Sequence, residues 1–410
     1  MRLLIVTQYF WPEDFRINDL VEGMRSRGHD VSVLTGAPNY PEGTIFGIYK
    51  TNPEDFADYH GADIVRVPLI PRGQGYLTLA LNYISFALAA STIGAWKLRG
   101  RRFDAIFVFQ TSPITVALPA LLLRRLKRVP VVMWVLDLWP ESLSAIGVVR
   151  SRAVLSLIGR MVGFIYRRCD RILIQSRGFL DNVGRYAGTV ERVRYFPNWV
   201  EPTFAGDPNA VETAPELAPF RDTFNVMFAG NVGEAQDMGA VLDAAESVRD
   251  LEDVRWLIVG DGRAMPFVRD EIARRGLCDR VILLGRYPAA RMPAFFKGAS
   301  AMLVSLKADP IWSLTIPGKV QSYMAGGKPV LAMLDGEGAR LVEESGGGLA
   351  AGAGDALGLA ANLRDLRALP PAERDLMAQR GSAYASKAFD RETLFSELED
   401  WLEEARLAFR

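Results

Sequence analysis

Lys319 lies in "SLTIPGKVQSYMAGGKPVLA" (residues 313–332), which reads as a loop, a short helix and a strand in quick succession. A lysine at a helix start adds a point charge to the partial positive end of the helix, a combination suited to a phosphate oxygen. "AGNVG" (229–233) offers a second such place. Gly230 and Gly233 bracket a turn between a strand and a helix, where backbone N–H groups can meet a phosphate; an ordinary tight turn is the plainer alternative. Asp137 and Glu141 flank Trp139 in "LDLWPES" (136–142), straight after a buried strand. Asp137 either caps the next helix or contacts a hydroxyl of a bound molecule.

Several other chemistries lack their parts. Two histidines, His29 and His60, and two cysteines, Cys169 and Cys278, assemble no zinc site or disulfide framework. There is no G-x-S-x-G elbow and no P-loop. A dinucleotide fingerprint needs three glycines at the first strand–helix turn, yet "TQYFWPEDF" has none, and the later "GDGRAM" lacks the third.

The elements that must position these residues repeat one rhythm. Short apolar runs at 3–7, 31–35, 64–68, 105–109, 131–137 and 171–176 alternate with helix-like segments. Unalternating Val/Ile/Leu strands between helices indicate a parallel sheet covered on both faces. The pattern restarts after "YFPNWVEPTF" (195–204), with runs at 225–230, 254–260, 280–285, 301–306 and 329–334. Two doubly wound α/β domains follow, 1–200 and 201–388, with ligands beyond the carboxyl ends of the strands and in a cleft between domains. The last segment, 389–410, has helical apolar spacing.

A chain of 410 residues, 49% hydrophobic and 23% charged, suits two such cores. Net charge is zero, but residues 1–200 hold 25 Lys/Arg against 16 Asp/Glu, and the remainder holds 23 against 32. A half at +9 either carries ordinary solvated surface or faces an anion-rich partner, and the scarcity of interleaved aromatics favours membrane over nucleic acid. "MRLLIVTQYFWPED" reads as a first strand rather than a signal peptide.

The ordered set "QYFWPEDFRINDLVEGMRSRGHDVSVLTGAPNYPEG", "DLWPES", "FPNWV", "FAGNVGEAQDM", "LIVGDG", "RVILLGRYP" and "IPGKVQSYMAGGKPVLA" resembles the retaining GT-B glycosyltransferases of family 4, in particular a WbuB-like subgroup acting in bacterial surface polysaccharide assembly. The resemblance covers nearly the whole chain. It implies two Rossmann-like domains, an N-terminal one for the acceptor and a C-terminal one for the nucleotide-sugar, with 389–410 returning to the first. It implies transfer from a UDP-sugar, with no metal or other cofactor. Lys319 and Arg16 would neutralise the leaving diphosphate, Arg16 by reaching across on closure. Gly230, Asn231, Gly233, Lys307 and Pro317 would line the donor, and Arg286 and Tyr287 the uracil-type base, although simple packing suits Tyr287 equally. Asp137, Trp139 and Glu141 would meet the acceptor.

The departures are specific. The family's two glutamates, eight positions apart, are expected at Ser313 and Gln321, and its usual Arg and Lys at Asn231 and Gln236. On that alignment Gln321 bonds the ribose, and Asp309 stands in for the missing sugar-contacting carboxylate. The donor is expected to be a UDP-amino sugar such as UDP-N-acetyl-L-fucosamine. The acceptor is expected to be a polyprenyl-diphosphate-linked glycan at the cytoplasmic face of the bacterial plasma membrane, for O-antigen or capsule. The uncharged stretch 75–96 is expected as a buried helix or, second, a membrane-contacting one; basic edges at 121–128 and 160–168 suit docking on anionic lipid. The alternatives are a UDP-sugar 2-epimerase on the same fold and a non-catalytic nucleotide-sugar-binding partner.

Overall fold

The computed structural model describes residues 1–73, 75–145, 147–204, 206 and 210–409. The chain divides into two compact units, Met1–Phe196 with Glu392–Arg410, and Pro197–Arg391.

The first unit is built on an eight-stranded sheet. Its strands are β1 (Arg2–Val6), β2 (Asp30–Gly36), β3 (Asp58–Tyr59), β4 (Ala62–Val67), β5 (Ala105–Gln110), β6 (Val131–Val135), β7 (Arg171–Ile174) and β8 (Val193–Tyr195). They lie in the order β3-β4-β2-β1-β5-β6-β7-β8, all parallel except the short β3–β4 pair. The reversal of strand order beside β1 marks a doubly wound sheet, with sites expected at its carboxyl edge. Leu3–Val6, Ala105–Phe109 and Val131–Val135 are buried on both faces, so these strands read as unbroken apolar runs. The helix Arg391–Ala408 buries Leu394, Phe395, Leu398, Leu402 and Ala405, while Arg27 bonds Glu392 and Glu399 at 2.7 and 2.6 Å.

The second unit carries six parallel strands: β9 (Phe224–Ala229), β10 (Val254–Val259), β11 (Val281–Gly285), β12 (Ala301–Ser305), β13 (Val330–Met333) and β14 (Gly348–Ala351). Their order is β11-β10-β9-β12-β13-β14. Two apolar clusters cover the faces, one containing Trp256, Val226, Val268 and Leu363, the other Met227, Leu257, Phe295, Phe296 and Tyr323. The expectation of two Rossmann-like domains is met, and three strands escaped it. β3 has two residues, and β8 and β14 have three and four, with Gly and Ala making up most of β14.

Candidate active site

In the second unit, the loops after β9 and β10 approach so closely that only glycine fits. Gly230 has φ +129° and Gly260 φ +145°, and a Cβ on Gly260 would run into the Gly230 carbonyl. A Cβ on Gly230 would stand 2.8 Å from Cε of Lys319. The lysine therefore lies directly against this bare backbone. It follows the first residue of the helix Gly318–Ala325, which Pro317 precedes in extended conformation. Tyr323, one turn on, fixes that helix to β9: its hydroxyl donates to Ala229 O at 2.8 Å and accepts from Ala229 N–H at 2.9 Å.

Lys319 Nζ lies 3.5 Å from the Phe228 ring centroid and donates to Asn231 O at a long 3.5 Å. Burial with so little compensation pushes its ammonium down to about 7. An anionic oxygen arriving here would supply the missing partner. Gly233 opens a tight turn, its N–H bonded at 2.9 Å to Oε1 of Gln236, and Ser305 Oγ ties the same turn to β12 through Gln236 O at 2.6 Å. At the two positions where the family usually has Arg and Lys, Asn231 thus receives the lysine and Gln236 caps its own turn.

The remaining expected donor residues vary in what they present. Asp309 caps the short helix Pro310–Ser313 by accepting from Ile311 N–H at 2.8 Å, and Ser313 Oγ turns back to Pro310 O at 2.8 Å. Lys307 is exposed, its backbone N–H bonded to Ala235 O at 2.9 Å. Arg286 is exposed, whereas Tyr287 packs on Phe295 with centroids 4.6 Å apart and under Arg291. Gln321 is sealed, with no exposed surface; oriented to donate, its amide bonds the Pro317 and Gly318 carbonyls, both at 3.0 Å. The polar group on the face of Lys319 is Ser322, three residues on and 8% exposed. Helix phase, invisible in a motif alignment, makes this one-position difference.

In the first unit, Asp137 follows β6. The Trp139 indole N–H donates to its Oδ2 at 3.0 Å, but burial wins and pushes the carboxyl up to about 6. Trp139 is buried and lies 6.2 Å from the Tyr83 ring. Glu141 Oε1 accepts from Arg185 at 2.6 Å and from the Tyr186 hydroxyl at 3.0 Å, while Oε2 is buried without a partner. Neighbouring polar atoms share that condition. Gln110, fully buried at the end of β5, bonds through neither side-chain atom, and Thr115 Oγ1 beyond it has no partner. Buried polar groups are nearly always satisfied, so such a group of orphans at one strand edge marks a place for water or ligand. Only Asp137, Trp139 and Glu141 were legible there; the signal for Gln110 was a polar residue closing a strand otherwise made of Ala, Ile, Phe and Val.

Arg16 is half-buried at the start of the helix Arg16–Ser26. The loop before it is braced by Glu13, which accepts backbone N–H bonds from Phe10, Asn39 and Tyr40 at 3.0, 2.8 and 2.7 Å. Burial pushes this carboxyl up and those bonds pull it back. Among the described residues, no group of three or more His, Cys, Asp or Glu is gathered to hold a metal.

Two domains, each built on a doubly wound parallel sheet, suit a GT-B architecture, and comparison with known proteins agrees. Residues 15–199 match a glycosyl transferase 4-like domain and residues 223–368 a glycosyl transferases group 1 domain. The chain is a GT-B glycosyltransferase built from these two domains. It is 27% identical over 302 residues to WbjE of Pseudomonas aeruginosa, named as a glycosyltransferase, covering 70% of this chain and 73% of WbjE. It is 25% identical over 353 residues to WcaI of Escherichia coli K12, named for colanic acid biosynthesis, covering 81% and 83%. In fold it resembles Anabaena HepE, crystallised with UDP and glucose (TM-score 0.69, 18% identity, 98% and 99% covered). WaaG, a glycosyltransferase of lipopolysaccharide biosynthesis, is similar at TM-score 0.67 and 13% identity, with 98% and 99% covered.

Proposed function

We propose that the protein transfers an N-acetylated amino sugar, such as N-acetyl-L-fucosamine, from its UDP-sugar to a polyprenyl-diphosphate-linked glycan, with retention and without a metal, in O-antigen or capsule assembly at the cytoplasmic face of the plasma membrane. The observation that carries the reading is Lys319: a desolvated lysine at a helix start, against backbone bared by Gly230 and Gly260. The UDP held by HepE supports the nucleotide, and the polysaccharide roles in the names of WcaI and WaaG support the pathway class.

In this mechanism the second unit binds the nucleotide-sugar and the first the acceptor. The bond from the sugar's anomeric carbon to the phosphate oxygen breaks, and one to the acceptor oxygen forms on the same face. The acceptor proton passes to a donor phosphate oxygen. Lys319, with Arg16 and Lys307 as further cations, balances the charge developing on UDP, in the manner of an oxyanion hole. Asp137 positions the acceptor hydroxyl, with Trp139, Glu141 and the unpartnered Gln110 around it. Tyr287 and Arg286 flank the base. Ser322, rather than the sealed Gln321, faces the ribose, and the second Asp309 oxygen faces the sugar. Ser313 offers no charge there, which favours the non-catalytic alternative, so chemistry must be tested directly.

The test is a panel of UDP-sugars incubated with a polyprenyl-diphosphate sugar, the product's anomeric configuration read by NMR. The reading expects a new glycosidic bond with the donor's configuration. An inverted linkage removes retention, and a 2-epimerised UDP-sugar without transfer replaces the reading with the epimerase.

A further inference from the structure

Three helices of the first unit, Leu77–Lys97, Ala117–Lys127 and Arg152–Tyr166, contain no Asp or Glu, yet carry Lys97, Arg124, Arg125, Lys127, Arg152 and Arg160. The middle helix touches both others, so they form one layer. Their outward residues are apolar to an unusual degree. Leu77, Leu81, Ile84 and Leu88, spaced along one helical face, are 74%, 40%, 52% and 62% exposed. Trp96 is 62% exposed with Arg99 stacked on it at 4.3 Å. Leu126 and Leu157 are exposed on the other two helices. Between those two helices a groove of about 210 Å³ is lined by Leu118, Leu122, Arg125, Phe164 and Arg168. A contiguous apolar surface of this kind, edged by one sign of charge, is a docking face.

We propose that this layer lies on an anionic lipid bilayer, with the outer face of Leu77–Lys97 in the headgroup–acyl boundary. The proposal rests on the acceptor reading above and names the surface that serves it. The bare apolar stripe needs a nonpolar phase, and the exposed Arg125, Arg152 and Arg160, on helices without one acidic residue, fit anionic headgroups; Arg124 is paired with Asp170, and Lys97 and Lys127 turn to backbone carbonyls. The stretch is long and apolar enough to span a membrane. Its inner face argues against spanning, because Asn82 is fully buried and bonds Gln8 Nε2, Tyr9 Oη and Ile70 O at 2.6, 3.2 and 2.7 Å. Tyr83 and Phe86 are packed beside it. One helix thus offers lipid-facing leucines outside and, within a turn, Tyr83 against Trp139 in the acceptor cluster. A lipid-linked acceptor lying in that bilayer would meet the cluster along this helix.

The test is flotation of the full chain with phosphatidylcholine vesicles, with and without phosphatidylglycerol. Binding is expected on the anionic vesicles and should weaken with salt, since screening acts over about 8 Å at physiological ionic strength. Leu81→Glu with Leu88→Glu should lower it about tenfold or more, and Arg125→Gln should lower it only on anionic vesicles. Unfolding temperature reports on folding of these exposed substitutions, and the arginine variant stands as an independent arm. Transfer to a short-chain, water-soluble acceptor should be unchanged in the leucine variant, which separates docking from catalysis. Equal binding by parent and variants overturns the proposal. So does a dimer that the leucine substitutions dissociate, because the face would then cover a second copy.

Discussion

With the Phe228 ring on one side and a single long hydrogen bond to Asn231, Lys319 is held near 7 rather than at its ordinary 10.5. The sign of the consequence is fixed. Between about pH 7 and 10.5 the unfolded chain binds a proton here that the folded chain has released. Stability from this group therefore rises with pH across that window, and the full cost of burying the ammonium is felt below it. A bound diphosphate reverses the balance by restoring the ammonium. UDP binding should then take up a proton near pH 8, and affinity should fall by up to about tenfold per pH unit above 7. Calorimetry in two buffers of different ionisation enthalpy reads that uptake, and Lys319→Met should remove it. Binding without proton uptake in the parent would place the diphosphate away from Lys319.

The helix Gly318–Ala325 is only eight residues long, too short to hold its place by its own hydrogen bonds. Tyr323 does so by satisfying both backbone groups of Ala229 inside the core. Tyr323→Phe leaves a buried N–H and a buried C=O unpaired, so stability should fall by about 1–3 kcal/mol. The freed helix should also let Lys319 drift, weakening UDP. Thermal unfolding and UDP titration check the pair, and an unchanged unfolding temperature would remove Tyr323 as the clamp. The same helix shows what pattern reading reaches. "IPGK" announces a helix start with a cation, because both signals are local. Tyr323 to Ala229 spans 94 positions and leaves no local trace. Gln321 was expected at the ribose from the alignment of the family's glutamate pair, whereas the helix phase seals its amide against the Pro317 and Gly318 carbonyls and leaves the neighbouring Ser322 with 8% of its surface exposed.

At the scale of the molecule, the central strands were legible because both faces of each sheet are covered, which forces continuous apolar runs in β1, β5, β6, β9 and β12. Edge strands such as β14 are partly exposed, so no such force acts on their composition. The uncharged stretch 75–96 was read first as a buried helix and second as a membrane-contacting one, and in the helix Leu77–Lys97 only the inner face is buried; apolar composition alone cannot separate a core face from a lipid face. The excess of positive charge in residues 1–200 is concentrated in part on that layer, which carries no acid. The account as a whole stands on catalysis of sugar transfer with Lys319 bearing the leaving-group charge. Its most direct test is the rate of UDP release from a UDP-amino sugar, with and without polyprenyl-diphosphate sugar, in EDTA, for the parent and Lys319→Ala. Release is predicted to require the acceptor, to persist in EDTA, and to fall by roughly 10²–10³-fold in the variant. Acceptor-independent release, loss of release in EDTA, or equal rates for parent and variant would contradict it.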